Sequence, residues 1–381
     1  MSRAYDIVIV GAGIVGAACA AECAGAGLRV LILDRGCIGG GTTAAGMGHI
    51  VVMDDSEAQF ALTSFSRSLW LLLRPELPDE VEYEICGTLW IAADNEELDL
   101  VQRKARFYTE RGVRAEVISA QELRSLEPQL RGGLSGALLV PDDGVLYPPA
   151  AARFLLERAQ QHGAQLRTEV AVRGLLPEGG VVLQDGSRIA SRFSVNATGA
   201  EASALTSGVP IRPRKGHLVI TDRHPGFVTH QLVELGYLKS AHSMNRDSVA
   251  FNIQPRKTGQ ILIGSSRQFD AETSAVDQPL LDRMLERAAQ FVPSLSTLAA
   301  TRVWTGDRAA TPDKLPLIGP SLSSDRIWLA TGHEGLGITT SLATGRLLAN
   351  MLMERKTEIP AQPYLPRRFA TLAEKAGDCL Q

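Results

Sequence analysis

Tyr5-Asp6-Ile7-Val8-Ile9-Val10-Gly11-Ala12-Gly13-Ile14-Val15-Gly16 stands near the start of the chain and decides its fold. An apolar, β-branched run enters a glycine turn and leaves it with small residues at helical spacing, which reads as strand, tight turn and helix. Gly11 permits the turn, Gly13 lets backbone approach a pyrophosphate, and Gly16 lets the helix press on the sheet. Ile14 and Val15 open that helix, whose free N–H groups and positive dipole end suit phosphate. A second apolar strand, Val30 to Leu33, leads into Asp34 and Arg35; a carboxylate at that place accepts from a ribose hydroxyl. Strand, turn, helix and acid together predict a bound ADP-containing dinucleotide.

Working outward, 381 residues favour two closely packed domains. Hydrophobic residues at 45 % and 36 glycines describe a turn-rich globular enzyme. A formal charge of −3, with basic residues scattered, argues against a nucleic-acid surface. Glu22 and Arg74 interrupt the apolar stretches, so no transmembrane segment is expected. The chain enters its first strand at once, which leaves no room for a cleaved signal peptide. Cys19, Cys23, Cys37, Cys86 and Cys379 are odd in number and form no C-x-x-C pair. They predict neither a disulfide frame nor a metal or iron–sulfur site, and a cytoplasmic location is the default.

Further along, Val81 to Ala93 alternates like a strand, and Glu96 to Gly112 reads as a surface helix. Ser119 and Glu122 form a capping box, and Pro148 to His162 is a helix closed by Gly163. Asp185-Gly186 joins a hairpin, Phe193 to Ala197 is a buried strand, and Arg212 to Ser266 is β-rich with a tip at Arg256–Gly259. Asp277 to Phe291 is an amphipathic helix. A strand from Arg326 to Thr331, a glycine loop and a helix from about Thr340 return to the opening style. The expected organisation is therefore discontinuous: 1–80, 145–212 and 325–381 form the nucleotide domain, and 81–144 and 213–324 the substrate domain.

Several segments, in order, resemble the glycine-oxidase, sarcosine-oxidase and D-amino-acid-dehydrogenase superfamily of FAD enzymes. Gly39 to Met47, with Gly41, Thr42, Thr43, Ala45, Gly46 and Met47, is similar to the loop passing the pyrophosphate and flavin ring. Thr168-Glu169-Val170 resembles the strand whose Val backbone faces adenine. Val195 to Ala200, with Ala197, Thr198 and Gly199, resembles the second nucleotide contact. Trp304-Thr305-Gly306-Asp307-Arg308 and Pro312 to Gly319 look like the substrate-carboxylate segment. Thr331 to Ile338, with His333, Gly335, Leu336, Gly337 and Ile338, looks like the C-terminal flavin loop, followed by Thr339. The resemblance implies a Rossmann-type, glutathione-reductase-like FAD domain of class α/β with an inserted antiparallel-sheet substrate domain. It also implies non-covalent FAD, since the covalent-flavin signals of some relatives are absent; His49 is a lesser covalent candidate.

Thr43 to Gln59 and His333 to Thr340 look most like the β subunits of heteromeric D-hydroxyproline and opine dehydrogenases, and like one component of hydrogen cyanide synthase. That narrower likeness implies partner subunits carrying an iron–sulfur cluster and a second nucleotide or flavin. Any membrane association would then run through an electron-acceptor partner. Two positions depart from the family: Asn252 stands where glycine oxidases place a Tyr, and Lys215-Gly216-His217 replaces an R-G-Q strand start.

Oxidation of an amine by flavin asks the protein to hold the substrate carbon over the ring and to stabilise the reduced cofactor. Arg308 is the candidate carboxylate fork, set against the bland alternative of an ion pair with Asp313. The amides of Leu336, Gly337 and Ile338, with the helix dipole behind them, are the candidates for the reduced ring. His49 and Asn252 complete the catalytic candidates. Arg302, His217 and Tyr237 are lesser ones, Trp90 and Trp328 read as core, and Asp54-Asp55 with Glu57 as a solvated turn or subunit contact. The expected activity is oxidation of the C–N bond of a D-hydroxyproline-like or opine substrate by hydride transfer to flavin N5, inside a larger dehydrogenase. The alternative is a stand-alone glycine/sarcosine-type oxidase making hydrogen peroxide.

Overall fold

The computed structural model describes residues 4–236, 247–269, 271 and 273–370; Tyr237 and Cys379 lie outside them. The opening fingerprint builds the strand Tyr5–Val10 and the helix Ile14–Gly25, and the second strand is Val30–Leu33. These strands sit inside a six-stranded sheet ordered Leu317–Pro320, Ile327–Thr331, Ser191–Asn196, Tyr5–Val10, Val30–Leu33, Gln165–Arg167. All neighbours run parallel except the first pair. Buried on both faces, Ile7–Val10 and Val30–Leu33 are continuously apolar, as a covered parallel sheet requires, whereas Ser191–Asn196 carries the buried polar residues Ser191, Ser194 and Asn196. The helices Ile14–Gly25, Pro148–Gln161 and Gly337–Leu352 pack one face. A small antiparallel sheet over Val172–Ile189 covers the apolar side chains of Val8, Val10, Leu31 and Leu33 on the other.

Close approach between elements explains two of the glycines. A Cβ on Gly16 would lie 1.9 Å from Gly11 O, so the first helix can seat on its own turn only with glycine there. A Cβ on Gly345 would lie 2.6 Å from Ala18 O, where the last helix crosses the first. Cys19 and Cys23 are fully buried on that first helix, and burial pushes the Cys19 thiol up to about 12.

The second sheet has eight strands: Ala300–Ala310, Arg212–Arg223, Gln260–Phe269, Ser248–Pro255, Gln231–Glu234, Thr88–Ala92, Gly136–Val140 and Glu116–Ser119. It is antiparallel except at one junction, where Gln231–Glu234 runs parallel to Thr88–Ala92. The helix Gln278–Phe291, N-capped by Asp277, packs against it. The capping box of Ser119 and Glu122 is present.

Three expectations need correction. The alternation from Val81 yields a strand only over Thr88–Ala92; Val81 and Tyr83 are buried because they pack on the core around Trp70 rather than on a sheet. The last helix begins at Gly337 rather than near Thr340, because Gly335, at φ +87°, turns the chain early. The boundary expected at 325 also moves: Leu317–Pro320 pairs antiparallel with Ile327–Thr331 and so belongs to the nucleotide sheet.

Candidate active site

Glycine geometry shapes a cleft of about 900 Å³ between the two sheets. Gly11 holds φ +113°, and a Cβ there would meet Ala197 O at 2.5 Å. A Cβ on Gly13 would sit 3.0 Å from Thr43 Oγ1, which accepts the Ile14 N–H at 3.0 Å and so ties the following loop to the helix start. Asp34 accepts from Ala12 N at 2.6 Å and Gly36 N at 2.8 Å, while Val170 N donates to Asp34 O at 2.8 Å. Arg35 pairs with Glu201 at the rim.

Most of the expected residues converge here. Gly11, Gly13, Ile14, Val15, Asp34, Arg35, Gly41, Thr42, Thr43, Ala45, Gly46 and Met47 line the cleft. So do Val170, Ala197, Thr198, Gly199, Gly306, Arg308, His333, Gly335, Leu336, Gly337 and Ile338, with His49 and Asn252. Gly16 and Thr339 do not line it. Gly16 acts through helix packing, and Thr339 donates to His49 O at 2.8 Å, fixing that backbone against the last helix. Trp70, unforeseen from sequence, donates to the Ile338 and Thr339 carbonyls at 3.3 and 3.2 Å and holds the same helical turn.

Arg308 arises from the edge strand of the larger sheet and lies across its neighbour. Gly306 pairs with Gly216, and a Cβ on Gly216 would fall 2.2 Å from Arg308 Nη1. The guanidinium therefore lies over Gly216, and Nη1 donates to Ser266 O at 3.0 Å. Its partner is not Asp313, which is held by Arg368 at 2.6 and 3.0 Å. Glu334, φ +45°, brings a buried carboxylate into ion pairing with Arg214; burial pushes its acid upward while Arg214, Arg267, Lys314 and Arg308 oppose. Lys314 lies 3.7 Å from Asp55. Asp54 is bound by the buried Lys104, while Asp55 and Glu57 are exposed, so the acidic turn is solvated as expected and anchored at its first residue.

His49 Nδ1 pairs with Gln231 and Nε2 lies 3.3 Å from Asn252 Nδ2; burial, with Arg308 nearby, holds this ring below the ordinary histidine range. Both ring nitrogens are thus engaged within the protein. His333 is buried, pushed down to about 3, and meets Thr344 Oγ1 at 3.0 Å.

The lesser candidates fall elsewhere. His217 faces away, accepting from Asp277 N at 2.9 Å to seat a helix start, and Arg302 lies over the Trp304 ring. Trp328 is buried as expected, whereas Trp90, equally buried, also lines the cleft. Arg267, Ser265 and Glu334 line the cleft and Gln231 braces His49, and none of them was foreseen; Gln231 opens its strand and Ser265 sits in the polar run Gly264 to Gln268, so neither stood out in the sequence.

A family model described as FAD dependent oxidoreductase (DAO) matches residues 6–351. The chain is 27% identical to hydrogen cyanide synthase subunit HcnC of Pseudomonas aeruginosa, over 97% of each chain. It is 28% identical to glycine oxidase of Geobacillus kaustophilus over 96% of this chain and 97% of that one. The crystal structure of the Geobacillus enzyme matches with TM-score 0.84 at 26% identity, covering 96% and 98% of the two chains. The crystal structure of L-proline dehydrogenase from P. horikoshii matches with TM-score 0.87 at 26% identity, covering 97% and 99%. The chain belongs to the FAD-dependent oxidoreductase family, and FAD is its cofactor. The residues present fit that group: a Cβ on Gly11 would collide with Ala197 O and one on Gly13 would press on Thr43 Oγ1, the Asp34 carboxylate lines the cleft at the end of the second strand, and an uncapped helix start at Gly337 lines it too.

Proposed function

We propose that this FAD-dependent oxidoreductase oxidises the C–N bond of an amino or imino acid, a D-hydroxyproline-like or opine compound, as the catalytic subunit of a larger dehydrogenase. The observation that carries the reading is Arg308, a guanidinium laid over Gly216 and held to Ser266 O inside the cleft that begins at the nucleotide cradle. A bidentate fork there grips a carboxylate, at roughly 1.5–3 kcal/mol for a charge-assisted contact. FAD held by the Gly11–Gly16 turn and the loop before Gly337 would supply the hydride acceptor for the substrate carbon. The N-terminus of the helix Gly337–Leu352, with no side-chain cap and its first residues on the cleft, would offer its positive end to negative charge on a bound flavin.

Both ring nitrogens of His49 are already taken, which supports non-covalent FAD. Partner subunits carrying an iron–sulfur cluster and a second nucleotide or flavin follow from the likeness of Thr43–Gln59 and His333–Thr340 to dehydrogenase β subunits. The similarity to a component of hydrogen cyanide synthase supports the same reading. No helix among the described residues is long and apolar enough to cross a membrane. The free thiols of Cys19, Cys23, Cys37 and Cys86 support a cytoplasmic setting.

The test is anaerobic mixing of purified protein with D-hydroxyproline, D-proline, sarcosine, glycine and an opine while the flavin absorbance is followed. Bleaching by an imino acid or opine, without peroxide in air, is expected. The full-length similarity to glycine oxidase supports a second reading, a stand-alone oxidase. Stoichiometric peroxide from glycine or sarcosine would establish that reading instead. No reduction by any amino acid would overturn both.

A further inference from the structure

Asn252 carries a polar atom that no group of the protein satisfies. It is 9 % exposed and lines the cleft, and its Oδ1 has no hydrogen-bond partner. Ser265 Oγ and Trp90 Nε1 are likewise buried, unpartnered and on the same wall. A buried acceptor left unmade costs on the order of 1–3 kcal/mol, so such an atom inside a binding cleft points to a ligand donor.

The hydrogen-bond network decides which end of the Asn252 amide faces inward. Gln231 is fully buried, and its Nε2 donates to Gly144 O at 3.0 Å and Thr88 Oγ1 at 3.2 Å. Because a backbone carbonyl only accepts, that end of the side chain must be the amide nitrogen, and Gln231 Oε1 faces His49. His49 Nδ1 therefore carries the ring proton. The neutral ring then has Nε2 as an acceptor, and the Asn252 atom lying 3.3 Å from it is the nitrogen. Asn252 Oδ1 is left pointing away from His49, buried and unpartnered on a residue that lines the cleft. Thr339, donating to His49 O at 2.8 Å, keeps the relay in place. The same sheet sets the spacing: Asn252 pairs with Gly264, and Arg308 is tied to Ser266 on the same neighbouring strand. Adjacent strands lie about 4.8 Å apart, so the guanidinium held at Ser266 and the Asn252 amide belong to one wall of the cleft.

We propose that Asn252 Oδ1 receives the N–H of the substrate's amine, and that His49 and Gln231 are positioning residues that aim it. This rests on the reading of Arg308 as the carboxylate anchor. It assigns the site to α-amino and α-imino acids that present at least one N–H, and it excludes oxygen isosteres of the same shape.

The test compares two inert, planar, near-isosteric anions, pyrrole-2-carboxylate and furan-2-carboxylate, which differ in an N–H against a ring oxygen. Binding to the holoenzyme is read from the perturbation of the flavin spectrum, without turnover. Wild type is expected to bind the pyrrole acid about tenfold more tightly, as one hydrogen bond to an otherwise unpaired buried acceptor implies. Asn252→Leu should abolish the preference while leaving furan-2-carboxylate affinity within a few-fold. Asn252→Ala, which adds no bulk, carries the same expectation. Asn252→Asp, which keeps an oxygen there, should retain the preference. His49→Phe should reduce it, because the amide is then free to turn. A preference that survives in both Asn252→Leu and Asn252→Ala overturns the proposal. So does equal wild-type affinity for the two anions when Arg308→Ala weakens both. If neither anion binds and Arg308→Ala changes nothing, the carboxylate reading itself has failed and this proposal falls with it.

Discussion

At the residue scale, individual side chains here do work that only their surroundings define. Arg308 is a fork because Gly216 removes a side chain beneath it and Ser266 O holds one arm. Arg308→Ala should lower kcat/KM for the preferred amino or imino acid by roughly 10- to 150-fold, through KM, on the scale of one charge-assisted contact. Flavin content should be unchanged; steady-state kinetics with a flavin absorbance ratio decides it, and an unaltered KM would remove Arg308 from substrate binding. Gly11→Ala acts at the other end of the cleft. A Cβ 2.5 Å from Ala197 O, on a residue at φ +113°, leaves no space in the turn. The purified variant is expected to be colourless or to lose FAD on gel filtration, and a fully yellow variant would refute that cradle.

At the element scale, the last helix is the component most dependent on others. It is held by Trp70 at its first turn and pressed on the first helix at Gly345. Gly345→Ala, with a Cβ 2.6 Å from Ala18 O, should cost about 1–3 kcal/mol, the usual penalty of overpacking. Denaturant unfolding measures it, and no loss would mean that the two helices separate freely. His333, at the loop before this helix, ties stability to pH. Its folded pKa is pushed down to about 3 by burial, against an ordinary value of 6.5. Between those values the unfolded chain binds a proton that the folded chain does not, so stability rises with pH there. The contribution is complete above pH 6.5 and is lost as pH falls toward 3. His333→Asn should therefore flatten the decline of the urea midpoint between about pH 7 and pH 4.5. Parallel declines in variant and wild type would show that another group is responsible.

At the scale of the whole molecule, the nucleotide sheet takes strands from near the start, from the middle and from residues 317–331, and the cleft lies between it and the larger sheet. A ligand filling that cleft bridges segments far apart in the chain, so folding and FAD binding are linked. Removing FAD should lower Tm, and adding it back should raise Tm with the logarithm of its concentration; binding at 100 times Kd is worth about 2.7 kcal/mol. A melting temperature indifferent to FAD would sever that linkage.

The nucleotide half was legible because its determinants are local. A β-branched run, Gly11 and Gly13 within one turn, and Asp34 at the end of the next strand dictate geometry through neighbours in sequence, and backbone sterics read the same in any context. Helix starts marked by capping residues, as at Ser119 and Asp277, were visible for the same reason. The pairing of Leu317–Pro320 with the nucleotide sheet was not, since an edge strand of four residues carries no periodic signature. The roles of polar side chains in the substrate wall were also beyond reach. His49 meets Gln231 and Asn252 across 182 and 203 residues of chain. Glu334 finds Arg214, and Lys104 finds Asp54, only once two sheets and a helix have packed. A side-chain hydrogen bond or ion pair falls off within a few ångströms and leaves no spacing in the primary structure, so the three-dimensional arrangement alone decided which groups line the cleft and which end of the Asn252 amide faces His49.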